Sequence, residues 1–209
     1  MPYHVGGVIA QRSNLILQNP TKFKNSYNID VRIEHEVMAV HPEGQTVTVK
    51  NLATNEEFTD HYDDLIIATG SSPVRPPIPG INSAKVMSLW TIPDADQIKA
   101  QVAASKLKKV VVAGGGFIGL ELAENLLHLG FEVHLVEMMD QVLAPLDPEM
   151  ARLVEAAMTA EGIKLHLKTG VSAFTENAST LQVSLSDGTT IETDFAAVAA
   201  GVWGMILLA

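Results

Sequence analysis

The stretch Val110-Val-Val-Ala-Gly-Gly-Gly-Phe-Ile-Gly119 decides the fold, because it joins a run of apolar residues directly to a glycine-rich turn. The apolar run over 109–113 predicts a buried strand, and the pattern over 117–129, which Gly130 ends, predicts a helix. A further apolar run over 131–137 predicts a second strand. Strand, glycine turn, helix and strand in this order are typical of a βαβ unit with parallel strands.

The glycines of this turn fit the pattern G-x-G-x-x-G at Gly114, Gly116 and Gly119. In that pattern the first glycine permits a tight turn, the second lets the backbone approach a diphosphate, and the third lets the helix pack closely on the strand. Glu137 ends the second strand, at the spacing of about 20 residues from which a carboxylate accepts hydrogen bonds from a ribose hydroxyl. The sequence therefore predicts a site for an adenine dinucleotide, although a glycine turn that serves packing alone stays open as an alternative.

The residues that follow Glu137 indicate which dinucleotide is preferred. Residues 138–146 contain no lysine or arginine. A 2′-phosphate on the adenosine ribose would be repelled by Glu137 and would find no cationic partner in this stretch. We therefore expect NAD(H) rather than its phosphorylated form.

Two residues near the turn have two interpretations each. Glu121 is placed in the first turn of the helix, where a carboxylate is stabilised by the helix dipole whatever its function. It could instead lie beside a nicotinamide. Phe117 could be a buried core residue or an aromatic gate over a cofactor, and its residue type alone favours the core.

The rest of the chain predicts an α/β protein with two domains. The proline-rich stretch 71–80 and the mixed segment up to residue 94 indicate a linker. Before it, alternating residues predict a small antiparallel meander, and an unbroken apolar run predicts a buried strand closing on Gly70. After it, we expect three helices, four strands besides a hairpin, and a parallel sheet. The predicted meander segments are 28–33, 37–40, 46–52 and Phe58, and the buried strand is 65–68. The other predicted segments are helices 94–105, 117–129 and 148–161, strands 109–113, 131–137, 163–167 and 195–200, and the hairpin 181–185 with 189–191. Asp147 is the expected helix N-cap, and Arg152, Glu155 and Glu161 are interpreted as the exposed side of the last helix.

Composition and charge exclude several classes of protein. Hydrophobic residues make up 47% of the chain and charged residues 18%, which excludes an intrinsically disordered protein. The net charge of −10 disfavours a nucleic-acid partner. The amino terminus has no secretory signal pattern, and the apolar stretch 195–209 is shorter than the roughly 18 residues that span a bilayer, so we interpret it as buried core. We expect a cytoplasmic protein that binds no membrane, and the apolar carboxyl terminus suggests a truncated domain.

Cysteine is absent from the chain, so no disulfide, thiolate metal site or thiol nucleophile can form within it. The seven histidines show no metal-ligand spacing, and we expect no metal site. No catalytic residue is predicted.

With these motifs in place, the chain resembles the flavin-dependent pyridine nucleotide-disulfide oxidoreductases, and within them the branch of coenzyme A-disulfide reductases, NADH oxidases and NADH peroxidases. The resemblance covers residues 1 to about 202. Its most specific elements are Val111-Val-Ala-Gly-Gly-Gly-Phe-Ile-Gly-Leu-Glu-Leu-Ala-Glu124, Leu65-Ile-Ile-Ala-Thr-Gly-Ser-Ser-Pro73 and Met1-Pro-Tyr-His-Val-Gly-Gly7.

The resemblance implies two cofactors, NAD(H) and FAD. It implies a Rossmann-like NAD-binding domain over 81–209 and part of an FAD-binding domain, with the meander, over 1–80. An aromatic at Phe117 would shield the flavin face, the Glu121 carboxylate would lie near the nicotinamide, and the segment Glu36-Val37 would face the FAD adenine. The implied NAD(H) contacts are Gly114, Gly116, Phe117, Ile118, Gly119, Glu121, Glu137 and Gly201, and the implied FAD contacts are Val37, Ala68, Thr69 and Gly70.

The chain also departs from the family pattern. The family's first glycine fingerprint, its redox cysteine, its later flavin strand and its carboxyl-terminal dimerisation domain have no counterpart here, and residues 203–209 do not follow the family's usual continuation after Gly201-Val202. We therefore expect an internal fragment of an enzyme that passes hydride from NADH to FAD and then electrons to a small disulfide, persulfide or oxygen species, as a homodimer. Two alternatives stay open: a non-catalytic NAD-binding module, and a domain that does not fold alone.

Overall fold

A computed structural model describes residues 1–204 of the chain, which form two compact units. The larger unit contains residues 1–15 and 71–204, and the smaller unit contains residues 16–70. The helices are α1 (Pro2–Val5), α2 (Pro20–Tyr27), α3 (Ile92–Ala104), α4 (Phe117–His128) and α5 (Pro148–Ala160). The strands are β1 (His35–His41), β2 (Thr46–Asn51), β3 (Glu57–His61), β4 (Ser71–Pro73), β5 (Val86–Ser88), β6 (Lys109–Ala113), β7 (Glu132–Val136), β8 (Lys164–His166), β9 (Val171–Glu176), β10 (Leu181–Leu185), β11 (Thr190–Thr193), β12 (Phe195–Val198) and β13 (Val202–Gly204).

A five-stranded parallel sheet forms the centre of the larger unit. Its strand order is β5-β12-β6-β7-β8, and every neighbouring pair runs parallel. Val110, Val111 and Val112 of β6 are all fully buried because both faces of the sheet are covered. Strands buried on both faces have continuous apolar sequences. The predicted α/β fold, with its βαβ unit from β6 through α4 to β7, is confirmed.

Different layers cover the two faces of this sheet. On one face Val110 and Val112 pack with Leu122 and Leu126 of α4 and with Ile98 of α3. On the other face Val111 and Val136 belong to a cluster with residues of the antiparallel sheet β11-β10-β9. The alternation of apolar side chains between the two clusters holds the strand ends of β6 and β7 in fixed positions.

Local signals set the helix ends. The Thr91 N–H donates to Asp94 Oδ2 at 2.6 Å and the Asp94 N–H donates to Thr91 Oγ1 at 3.4 Å, which starts α3 two residues before the predicted position. Asp147 occupies the N-cap of α5 as expected, and Pro148 is its first helical residue. Gly130 takes a φ of +80° after α4, which fits its predicted role of ending that helix.

The predicted linker is partly wrong, because it contains strand β5. Val86 and Ser88 are buried, and β5 pairs in parallel with β12 at the edge of the central sheet. Three residues are too few for a periodic pattern to be seen in sequence. Strand β4 lies in the same region and pairs with β13.

The smaller unit contains the predicted meander. Strands β1, β2 and β3 pair antiparallel in chain order, and Val49 lies opposite both Val37 and Phe58. This part of the sequence prediction is confirmed.

Two other predictions for the smaller unit are wrong. Residues 28–33 form no strand, since Asn28 takes the left-handed conformation at the end of α2 and the chain continues irregularly to β1. Residues 65–68 are not a buried strand either, and Ile66 is 89% exposed. A strand needs a neighbour for its hydrogen bonds, and no strand within residues 1–204 pairs with this run.

Among the described helices, none combines the length and the apolar character needed to cross a membrane. Of the apolar stretch predicted as core, Phe195 to Val198 are buried in β12. Residues 205–209 lie outside the described part of the chain.

Candidate functional site

A cavity of about 430 Å³ lies in the larger unit where β6, β7 and β12 end. In open parallel sheets, ligands bind in the crevice outside the carboxyl ends of the strands. The glycine turn, the segment after β7, the start of β9 and the segment after β12 contribute to its walls. The lining residues are 76, 78, 113–117, 136–139, 141, 143–145, 169–171, 174 and 198–201.

The three pattern glycines have different surroundings. Gly114 takes a φ of +119°, and a Cβ there would meet the carbonyl oxygen of Ala199. A Cβ on Gly119 would meet the carbonyl oxygen of Gly114, so glycine lets α4 start close to β6. A Cβ on Gly116 would meet nothing within 4 Å and would project into open space. Glycine at this second position of the pattern has no packing reason within the described residues.

The amino end of α4 faces the same cavity. Gly116 is the N-cap of α4, and no side chain caps the helix. The first N–H groups of a helix have no partner within the helix and carry its positive dipole end. Such an end is suited to a diphosphate, and Gly116 leaves room for one.

Glu137 also lines the cavity and binds the glycine turn directly. Its Oε2 accepts a hydrogen bond from the Gly115 N–H at 2.5 Å, and its Oε1 accepts one from the Met139 N–H at 2.8 Å. A carboxylate can accept about four hydrogen bonds, so acceptor capacity remains for a ligand hydroxyl. Sequence reasoning had placed Glu137 at the ribose but had not foreseen that it also holds the turn.

Phe117 is exposed to 62% and lines the cavity. The interpretation of Phe117 as a core residue is therefore wrong. Being the first helical residue of α4, it precedes the part of the helix that packs on the sheet. Gly201 also lines the cavity, with a φ of +99°, and its carbonyl accepts a hydrogen bond from the Val74 N–H at 2.9 Å.

Three of the predicted NAD(H) residues do not line the cavity. Gly119 is buried behind the turn, and Ile118 and Glu121 lie on α4 away from the lining. The placement of Glu121 in the first helical turn is wrong, since α4 starts at Phe117 and its first turn contains no acidic residue. The dipole explanation for this carboxylate is correspondingly weakened, because the effect falls off beyond the first turn.

The four predicted FAD residues all belong to the smaller unit and do not line this cavity. Val37 is exposed on β1, next to a bulge in its pairing with β2. Ala68, Thr69 and Gly70 are exposed in an irregular segment, and Gly70 takes a φ of +78°. These four residues are exposed, and their contacts with FAD stay a prediction.

Sequence reasoning missed the part of the site made by residues 138–146, hereafter the 138–146 segment. The Leu143 N–H donates to the Gly115 carbonyl at 2.8 Å. The Val142 N–H donates to Glu155 Oε1 at 3.0 Å. Glu155 was interpreted as part of the exposed side of α5, and this is wrong, since it is half-buried and bonded to the segment. Nothing in the sequence distinguished Glu155 from the exposed residues near it on α5.

A pair of histidines also comes together outside the cavity. His134 of β7 and His166 of β8 have nearly parallel rings, with an interplanar angle of 16°, and His134 Nδ1 and His166 Nε2 lie 3.0 Å apart. His134 Nε2 lies 2.9 Å from Glu132 Oε1, which also pairs with Lys164 Nζ at 2.6 Å and Lys109 Nζ at 3.2 Å. The hydrogen bonds from Lys164 and then from His134 lower the pKa of Glu132 to about 2. Burial lowers the pKa of each histidine below its usual range.

Comparison with known proteins gives consistent similarities. The chain is 36% identical to an NADH oxidase of Enterococcus faecalis, over 82% of the chain and 38% of that protein. It is 32% identical to a coenzyme A disulfide reductase of Staphylococcus aureus, over 87% of the chain and 41% of that protein. The crystal structure of reduced CoADR-RHD from Bacillus anthracis superposes with a TM-score of 0.89 at 40% identity, over 99% of the chain and 37% of that structure.

The chain thus spans about two fifths of the length of these relatives. A sequence profile of one family matches nearly the whole chain, over residues 4–208. The glycine turn and Glu137 lie inside that match and line the cavity. The chain belongs to the pyridine nucleotide-disulphide oxidoreductase family.

Proposed function

We propose that the chain binds NADH in the cavity at the ends of β6, β7 and β12. The observation that carries this proposal is the open space in front of Gly116 at the uncapped amino end of α4. The diphosphate would accept hydrogen bonds from the first N–H groups of α4. The adenosine ribose would donate its hydroxyls to Glu137.

The other predicted NAD(H) residues have supporting roles in this proposal. Gly114 and Gly119 shape the turn, Phe117 covers the cavity mouth, and Gly201 lets the backbone after β12 approach the ligand. Ile118 and Glu121 follow on α4. The Glu121 carboxylate is proposed to lie near the nicotinamide.

We further propose that the whole protein is an NADH-dependent flavoenzyme. Family membership and the names of the NADH oxidase and coenzyme A disulfide reductase relatives support this. When bound, FAD would supply the two-electron chemistry of such an enzyme, with NADH as the reductant and a small disulfide, persulfide or oxygen species as the acceptor. Val37, Ala68, Thr69 and Gly70 would contribute to its site.

The predicted organisation belongs to the same proposal. Residues 1–80 are proposed as part of an FAD-binding domain and residues 81–209 as the NAD-binding domain. Homodimer formation and a cytoplasmic location stay predictions.

Titration with NADH and NADPH tests the nucleotide part of the proposal. We expect NADH to bind at least about tenfold more tightly, which corresponds to about 1.4 kcal/mol, because the 2′-phosphate would lie beside Glu137. The Gly116→Ala variant should lose at least about tenfold in NADH affinity, since its Cβ would occupy the diphosphate position. Its free energy of unfolding should change by less than about 1 kcal/mol, the difference between alanine and glycine at an N-cap.

Two results would contradict this proposal. The first is a folded chain that takes up no NADH. The second is a Gly116→Ala variant that binds NADH as tightly as the original chain. The visible spectrum of the purified protein tests the flavin part, because bound FAD absorbs there and a nicotinamide cofactor alone does not.

A further inference from the structure

The peptide groups on both sides of Gly115 are fixed by the residues that follow β7. The Gly115 N–H donates to the Glu137 carboxylate, and the Gly115 carbonyl accepts from the Leu143 N–H at 2.8 Å. Gly115 is buried, and Gly116 follows it directly at the proposed diphosphate position. The orientation of the turn therefore depends on where the 138–146 segment lies.

The middle of the 138–146 segment is packed into the core of the larger unit. Val142 is fully buried and Leu143 is buried to all but 8%. Leu143 also takes a φ of +49°, which is uncommon for a residue with a side chain. A backbone in this conformation persists only when its surroundings hold it there.

Glu155 of α5 forms a hydrogen bond with the backbone of the 138–146 segment. Its Oε1 accepts the Val142 N–H at 3.0 Å. An N–H on a fully buried residue needs a partner, because leaving it unpaired costs free energy comparable to a lost hydrogen bond. The carboxylate is half-buried, whereas Glu149 of the same helix and Glu161 at its C-cap are exposed.

We propose that Glu155 is a positioning residue for the nucleotide site, acting through Val142, Leu143 and Gly115. It does not line the cavity. It holds the Val142 peptide, which sets the position of the adjoining Leu143 N–H and through it the Gly115 carbonyl. This inference rests on the proposed binding of NADH.

Three variants of the chain test the proposal. Glu155→Ala removes the acceptor, and Glu155→Gln keeps a side-chain carbonyl that can accept the same N–H. Glu161→Ala is a control that removes an exposed carboxylate at the C-cap of α5. Hydrogen exchange of the Val142, Leu143 and Gly115 amides is measured without nucleotide. NADH affinity is measured well below the melting temperature of the least stable variant, so that global unfolding does not contribute.

In Glu155→Ala we expect faster exchange at these amides and a loss of at least about fivefold in NADH affinity, the lower end of typical coupling between sites. Glu155→Gln should recover most of the slow amide exchange and most of the NADH affinity. Glu161→Ala should match the original chain in both measurements. Unchanged exchange in Glu155→Ala would overturn the proposal, and so would faster exchange with unchanged NADH affinity. If the original chain binds no NADH, the proposed function itself fails and the positioning role falls with it.

Discussion

At the scale of the residue, the Glu137 carboxylate has two tasks that compete for the same oxygens. It accepts N–H groups of Gly115 and Met139 and, in the proposed complex, the ribose hydroxyls. In Glu137→Gln one of the two N–H groups would face an amide NH₂ instead of an acceptor. We expect NADH affinity to fall about tenfold, in the range of a lost hydrogen bond to a charged group, and the preference for NADH over NADPH to shrink.

Titration of both nucleotides against the original chain and Glu137→Gln measures these changes. The nearby Asp140→Ala variant is a control for charge, since Asp140 is exposed and does not line the cavity. An unchanged ratio of the two affinities in Glu137→Gln would show that this carboxylate does not discriminate between the nucleotides.

At the scale of the element, the position of α4 on β6 depends on Gly119. A Cβ there would overlap the Gly114 carbonyl oxygen, and the Val112 side chain lies 3.6 Å away on the other side. Because the obstacle is backbone, Gly119→Ala must move the start of the helix. Overpacking of this kind costs about 1–3 kcal/mol, and the same displacement should weaken NADH binding.

Urea unfolding and NADH titration of Gly119→Ala measure the two effects together. Gly116→Ala is the matched variant, since it adds the same methyl group to the same turn where there is space. We expect stability to fall in Gly119→Ala alone and affinity to fall in both. A Gly119→Ala chain as stable as the original would refute the close approach of α4 to β6.

At the scale of the whole molecule, the sequence predicts best those structural elements that are determined by residues adjacent to one another in the chain. The unit from β6 to β7 could be recognised because strand, turn and helix signals follow one another directly. The run 65–68 could not, because an apolar sequence does not reveal whether another strand pairs with it. Glu155 and the histidine pair were missed because their partners lie 13 and 32 positions away in sequence.

The hydrogen bond between His166 and His134 disfavours a second proton on His134. A carboxylate only accepts, so the neutral His134 donates its Nε2–H to Glu132 and its Nδ1 accepts from His166 Nε2–H. A second proton on His134 would set two N–H groups against each other. Burial lowers the pKa of both rings, and the positive charge of Lys164 adds to this, while the hydrogen bond to Glu132 opposes it at His134 and Asp187 opposes it at His166.

This pair should make the stability of the whole chain depend on pH. Because the folded-state pKa of each ring lies below the ordinary 6.5, the unfolded chain binds more protons just below that pH. The free energy of unfolding should therefore stay level above about pH 7 and fall as the pH drops from 6.5 toward 5. Urea unfolding at several pH values measures the slope of the free energy of unfolding against pH.

Two variants test whether the histidine pair causes this slope. His166→Gln, which keeps an N–H donor but does not titrate, should flatten the slope, whereas His128→Gln at the exposed end of α4 should leave it unchanged. A slope in His166→Gln equal to that of the original chain would remove the pair as its cause.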